Sequence, residues 1–293
     1  MKLTNNIGIP EPLAKAIANS RKGYSKGEGV DYSVTELIGP AHQRRLIREH
    51  QNNISEEAVD QIWSLLGTSV HYMIEMAQED QDYVSEKRFF MSFNNKLISG
   101  QADLVDKKNG IIYDWKVTSA WTHINGIKPD WEAQLNLLKL LLEFDNIQNE
   151  FPEIQKLYII AIYRDWKKND AMRNPDYPQK QVAMLPVSMW RSEATRKYLL
   201  ERIEAHDSVG IDDVCSDDER WHKDDKYAVK KKTNKKATKL FNDESKARLF
   251  IEDKKDMVIE FRPGEDTRCL HYCPVQQFCS HGKKLNTLEK VAA

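Results

Sequence analysis

The sequence predicts an α/β fold with a mixed central sheet flanked by helices, and three patterns predict it. A helical period runs over residues 61–78. Two strand-like runs, 97–107 and 111–118, follow on either side of Asn109-Gly110. A leucine-rich helical stretch at 131–144 then leads to an apolar run at 157–163 and another helical segment at 188–206. Helix, antiparallel strands, helix, strand and helix in this order bury a sheet between helical layers.

Residues 1–30 carry Lys, Gly, Ser and Glu without a clear period and are expected to be a flexible or loosely packed N-terminal arm. The core is expected over residues 31–207. Within it, Ile62, Leu65, Leu66, Ser69, Val70, Met73 and Ala77 recur at helical spacing, which turns their stripe toward the core, with His71 on its border. Taken alone, a histidine there reads as a satisfied structural residue. Pro129-Asp130 is a start signal for the 131–144 helix. Leu157–Tyr163 fits a buried strand, and 164–181 is polar with Asn-Pro and Tyr-Pro breaks, hence a loop.

Asn109-Gly110 is a type I′ hairpin signal. A two-residue turn sets Asp103 opposite Lys116 and Val105 opposite Asp114. Period-2 alternation then puts Asp103, Asp114 and Lys116 on one face and Ala102, Leu104, Tyr113, Trp115 and Val117 on an apolar, buried one. Opposite side chains sit about 5 Å apart at Cβ and diagonal ones about 7–8 Å. Two carboxylates that close can hold a divalent cation, and oxygen ligands suit Mg²⁺ or Mn²⁺. The plainer alternative is a cross-strand ion pair on a solvated face.

Residues 208–293 form a basic, cysteine-containing C-terminal region. Lys230, Lys231, Lys232, Lys235 and Lys236 lie in a lysine-rich stretch interleaved with Trp221, Tyr227 and Phe241, a mixture that suits nucleic acid: cations neutralise phosphate and aromatics stack on bases. All four cysteines, Cys215, Cys269, Cys273 and Cys279, fall here. In an intracellular chain they suggest a metal site more than disulfides, although free thiols remain an alternative. The gaps of three and five residues among the last three differ from the paired Cys-x-x-Cys of structural zinc. Zinc would take His271, His281 or Cys215 as fourth ligand.

The 293 residues suffice for one large domain or one with an appendage. A net charge of −1 excludes a globally basic nucleic-acid binder, so DNA contact must come from local patches. No apolar run spans a membrane and Met1–Pro10 has no signal-peptide core, so a soluble, cytoplasmic protein of a bacterial or phage-infected cell is expected.

On these residues the chain resembles the PD-(D/E)XK nuclease superfamily, in particular its RecB-like branch, with CRISPR-adaptation exonucleases and phage recombination nucleases. Gly100-Gln101-Ala102-Asp103 and Asp114-Trp115-Lys116 match the catalytic hairpin. Gly67–Glu75 looks like the helix carrying a metal-binding histidine, His71, and Glu86 like the acidic residue opening the first core strand. Gln134 stands where the family has a DNA-contacting glutamine, with Leu138 in place of the usual tyrosine. Ser33–Pro40 resembles the opening segment, where Gly39 replaces the cysteine of iron–sulfur members.

The resemblance implies a restriction-endonuclease-like core and a metal-dependent deoxyribonuclease, expected as an exonuclease in recombination, repair or phage DNA metabolism. It implies metal ligation by His71, Asp103, Asp114 and the carbonyl of Trp115. Lys116 would be catalytic, with support from Glu86 and DNA contact by Gln134. It also implies a 4Fe–4S cluster on Cys215, Cys269, Cys273 and Cys279, with zinc as the alternative. The expected partners are DNA ends or single strands and recombination or replication proteins, and no membrane. A catalytically silent DNA-end-binding module and a structure-specific endonuclease remain alternatives.

Overall fold

A computed structural model describes residues 2–20, 25–145 and 150–292. The chain divides into two compact units, residues 1–44 with 52–209, and residues 45–51 with 210–293.

In the first unit, β1 (Lys2–Thr4) pairs in parallel with a short strand at Ser55–Glu57, and α1 (Glu11–Ser20) buries Ile17 completely. The first residues, expected as a loose arm, are therefore built into the unit. After them come β2 (Tyr32–Ser33), α2 (Val34–Ile38), α3 (Ala41–His50), whose residues from Arg45 on count with the second unit, and β3, the Ser55–Glu57 strand. The core continues with α4 (Ile62–Ala77), β4 (Tyr83–Phe93), β5 (Lys96–Asp106), β6 (Ile111–Thr118), α5 (Trp121–Asn125) and α6 (Pro129–Asp145). It ends with β7 (Lys156–Tyr163), α7 (Lys168–Arg173), β8 (Val182–Val187) and α8 (Ser192–Ser208).

The sheet runs β2-β5-β6-β7-β8, with β4 also on β5. β6 and β7 are parallel, whereas the β4, β6 and β8 pairings with their neighbours β5 and β7 are antiparallel. This is the mixed sheet between helices that the sequence predicts. Leu135, Leu137, Leu138, Leu140, Leu141 and Leu142 of α6 are all buried, and together with Leu199 and Ile203 of α8 they pack into the sheet's core cluster. At Gly100 α6 packs tightly on β5: a Cβ there would lie 2.6 Å from Leu138 of α6 and 2.9 Å from Val34 of α2. β8 and α7 lie in stretches whose sequence shows no strand or helix period.

Three expectations change. The hairpin turn takes four residues, Lys107–Gly110, not two. Asp106 accepts hydrogen bonds from the backbone N–H and side-chain amide of Asn109 at 2.9 and 2.8 Å, and Gly110 takes φ +63°. Leu104 consequently faces Tyr113, and the ladder's count brings Asp103 level with Asp114 in place of Lys116. An even shift preserves the faces.

The alternation also inverts at one residue. Phe89 and Met91 are core residues and Val84 packs against the same core, although odd spacings separate Val84 from them. Between them Glu86 adopts φ +51°, and the ladder passes from Ser85–Leu104 to Lys87–Ala102 without pairing Glu86 to Asp103. On β5, Ala102 and Val105 likewise both enter the core. The apolar face expected to be buried is therefore split: Ala102 and Leu104 are buried, Tyr113, Trp115 and Val117 only half so, and Ile112 and Asp114 are buried beside them.

Finally, α4 buries none of its residues fully. Ile62, Leu65, Val70 and Ile74 are half-covered, while Leu66, Ser69, Met73 and Ala77 of the expected core stripe face solvent. The helix is apolar nearly all round, so its period leaves the inward side undecided.

In the second unit, α9 (Asp217–Arg220) and β9 (His222–Lys223) precede a three-stranded sheet of β10 (Lys226–Lys231), β11 (Lys239–Phe241) and β12 (Met257–Arg262), ordered β11-β10-β12. Helix α10 (Glu244–Ile251) packs on it. Strand β13 (Glu265–Asp266) pairs β9 and runs into α11 (Thr267–His271), and α12 spans Ser280–Ala292.

Candidate active site

A fork in the sheet builds the site. One edge of β5 is paired along its length with β4; the other is shared by β2, at Ile98 and Ser99, and β6, from Leu104 to Asp106. The edge between is taken by neither. Beyond Tyr113 β6 leaves β5 and keeps only its ladder with β7, and its Trp115 N–H, left without a β5 carbonyl, donates to Asp103 Oδ2 at 2.7 Å. A buried backbone donor requires such a partner. Asp103 thereby stands where the strands part.

Three side chains converge there. His71 Nδ1 of α4 lies 3.4 Å from Glu86 Oε1 and 3.6 Å from Asp103 Oδ1. Ligand atoms of the three lie within 4.8 Å of one another, a spacing that one divalent cation can bridge. Glu86 is aimed by Gln101, whose amide donates to Oε2 at 2.5 Å, and Arg88 in turn donates to Gln101 Oε1. Gln101 is absent from the predicted site set; its place two residues before Asp103 on one strand is the signal that could have found it. His71, Glu86, Gln101, Gly67, Thr68 and Glu75 line a cleft of about 540 Å³.

Beside this group lies Asp114, fully buried. Its Oδ2 holds Lys116 Nζ at 2.5 Å and its Oδ1 accepts from Gln134 of α6 at 3.0 Å. Gln134, expected to touch DNA, is thus engaged by a carboxylate. Of the predicted set, His71, Glu86 and Asp103 share one cluster, Asp114, Lys116 and Gln134 form a second, and the Trp115 backbone links them through Asp103.

The electrostatics are those of a site short of positive charge. Burial and the negative charge of Asp114 push the Asp103 carboxyl up to about 7, against the opposing pull of Lys116, His71 and the Trp115 amide. Burial alone would discharge Lys116, but Asp114 and Asp103 hold its ammonium above the ordinary lysine range. Burial likewise opposes an imidazolium at His71, and the hydrogen bond to Glu86 with the charge of Asp103 outweighs it, so His71 sits above its usual value. A carboxyl that holds its proton near neutrality, beside a second carboxylate and a histidine, fits a divalent cation, which would replace that proton.

In the second unit Lys230 is paired with Glu260, and Lys231 lies 3.9 Å from Asp256. Lys232, Lys235 and Lys236 lie in the exposed turn after β10. Cys269 has its thiol pushed to about 11 by burial first, then by Cys273, Asp266 and Cys279. Arg220 donates to the carbonyl of Cys215 and lies 3.2 Å from Asp266, which also binds His222 at 2.8 Å and His281 at 2.6 Å. One buried carboxylate thus stands beside the thiol cluster and, through Arg220, is tied to Cys215.

Comparison with known proteins adds the following. The family model described as the PD-(D/E)XK nuclease superfamily matches residues 35–280. Among solved structures, a chain titled "Crystal structure of SSO0001" is 18% identical, with 68% of this chain and 87% of that chain covered and a TM-score of 0.45. No curated protein matches.

Proposed function

Because the chain belongs to the PD-(D/E)XK nuclease superfamily, we propose that it is a divalent-metal-dependent DNA nuclease of the RecB-like kind. It hydrolyses phosphodiester bonds from DNA ends, in recombination, repair or phage DNA metabolism. The observation that carries this reading is the convergence of His71, Glu86 and Asp103 beside the Asp114–Lys116 pair.

His71, Glu86 and Asp103 would hold Mg²⁺ or Mn²⁺, with Asp114 and the carbonyl of Trp115 completing the set. Such an ion, when bound, lowers the pKa of a water and neutralises charge growing on the phosphate. Lys116, kept cationic by Asp114 and Asp103, orients the attacking water and stabilises the pentacovalent phosphate as a point charge. Gln134 and Lys116 fix the Asp114 carboxylate from two sides. Gln101 does the same for Glu86. DNA is the substrate and recombination or replication proteins are the partners this reading implies. Among the described residues no helix is long and apolar enough to cross a membrane.

The test is cleavage of end-labelled linear and of circular DNA with Mg²⁺, Mn²⁺ or EDTA. Metal-dependent loss of the linear substrate alone is expected. Loss of both would make the enzyme an endonuclease, and loss of neither would favour a silent DNA-end-binding module.

The same reading gives Cys215, Cys269, Cys273 and Cys279 to one 4Fe–4S cluster, zinc being the alternative. Support comes from the Cys269 thiol, whose burial beside two further thiols disfavours a bare thiolate and suits one neutralised by metal. Anaerobically purified protein should absorb near 400 nm; a featureless spectrum with stoichiometric zinc on metal analysis would replace the cluster by zinc.

A further inference from the structure

A second constellation lies on the first unit, composed of residues that the metal-ligand cluster does not use. Strands β6 and β7 end side by side, Thr118 against Tyr163. Beyond them, Arg164 N–H donates to the Thr118 carbonyl at 3.0 Å, two residues past Lys116 on β6. The Arg164 guanidinium lies 4.7 Å from the ring centre of Trp63 on α4. Lys128, immediately before α6, lies over Trp131 at 4.9 Å.

Among the described residues neither cation forms an ion pair. The neighbouring carboxylates are otherwise disposed. Asp165 accepts from Ser119 Oγ and Ala120 N at 2.6 and 2.7 Å, and the charge of Asp130 opposes the effect of burial on Lys128 without overcoming it. Lys128 is driven below the ordinary lysine range by burial first, with Arg164 and Lys116 contributing as like charges. Lys128 and Arg164 thus share one neighbourhood as like charges, and among the described residues neither has a salt-bridge partner.

The aromatic complement is exposed. Trp63 is 57% and Trp121 61% accessible, unusual for so large an apolar side chain. Trp121 opens the helix that follows β6, its backbone N–H donating to Ser119 Oγ at 3.3 Å, and Ser119 in turn donates to Asp165, next in sequence to Arg164. Trp63 and His71 are eight residues apart on α4, about 12 Å along the axis. Unpaired cations with exposed indoles are the surface that a single strand recognises, its phosphates by charge and its unpaired bases by stacking.

We propose that Lys128, Arg164, Trp63 and Trp121 form a binding subsite for single-stranded DNA continuous with the metal-ligand cluster, the two cations holding a phosphate and the two indoles stacking on bases. The proposal deepens the nuclease reading and rests on it for the identity of the ligand as substrate. A duplex, with its bases stacked inside, engages the cations but leaves both indoles unused.

The test measures binding apart from cleavage. A fluorescein-labelled oligothymidylate and a blunt hairpin duplex are titrated by anisotropy in EDTA with wild-type protein, Arg164→Ala, Lys128→Ala, Trp63→Ala and Trp63→Phe. Thermal unfolding serves as the folding check. Trp63→Ala should weaken single-strand binding at least about fivefold, with Trp63→Phe restoring most of it. Each lost cation should lower the slope of log affinity against log salt by about 0.7. Folded alanine variants that bind the single strand like wild type would overturn the subsite, as would an equal loss of duplex binding in Trp63→Ala. If wild type cleaves and these variants bind unchanged, the subsite fails while the nuclease stands. If binding depends on Trp63 and Arg164 but no metal supports cleavage, the nuclease reading fails while the subsite stands.

Discussion

Lys116→Ala should abolish metal-dependent DNA cleavage, lowering the rate by roughly a thousandfold or more, while binding of DNA in EDTA stays within a few-fold of wild type. The magnitude is that of removing a preorganised charge from a developing oxyanion, about 3–4 kcal/mol. The Lys116 side chain is 22% exposed, its ammonium held at 2.5 Å by Asp114, and it neutralises a fully buried carboxylate. Its removal therefore also frees Asp114, and the variant should unfold at lower temperature. Lys116→Met, close in volume, carries the same stability cost without a cavity, so comparing the two separates folding from chemistry. Single-turnover cleavage with Mn²⁺ is the measurement; wild-type rates in either variant would remove Lys116 from the reaction.

Asp103→Asn should be inactive and yet, in the absence of metal, more stable than wild type above neutral pH. The sign follows from the raised carboxyl. A group that titrates near 3.8 in the unfolded chain and at about 7 in the fold binds its proton more tightly when folded. Its stabilising influence is fully present below about pH 4 and is lost as pH rises to about 7, after which the ionised carboxylate opposes folding by up to about 4 kcal/mol. Asparagine removes that charge from beside Asp114 and can still accept from Trp115 N–H. Thermal melts of metal-free protein between pH 4 and 9 should show the variant's advantage opening up through neutrality. Adding Mn²⁺ should stabilise wild type and narrow the gap, increasingly so with rising pH, because binding displaces the proton. A variant that melts below wild type throughout would show that Asp103 is structural and not held under electrostatic strain.

The fold was legible where local rules suffice. Asn109-Gly110 marked the reversal, and the leucines of α6 marked the layer that covers the sheet. The register was not legible, because Asp106 caps Asn109 and widens the turn, and no pattern of apolar residues distinguishes two residues from four when an even shift keeps the faces. The inner side of α4 was also hidden, since Trp63, Leu66, Tyr72, Met73 and Met76 give its outer surface the same composition as its inner one. β8 carries no strict alternation and sits beside a polar loop. At the candidate site, the aspartates and lysine stood out by spacing alone, whereas the meeting of His71 with Glu86 depends on α4 crossing the sheet at one place. Lys128 and Arg164 come from two loops about 35 residues apart, near the typical span of a βαβ crossover, and only the parallel pairing of β6 with β7 makes them neighbours.

Glu86, by taking left-handed backbone at φ +51°, leaves β4 with two inheritable patterns in one strand. Before it the even position Val84 is constrained to be apolar; after it the odd positions Phe89, Met91 and Phe93 are. Through a saturation map of this strand, the period-two stripe of intolerance would slip by one place at residue 86, and drift in the gene would be steered by opposite parities on its two sides. The carboxylate that faces His71 is thus also the punctuation mark at which the strand changes reading frame.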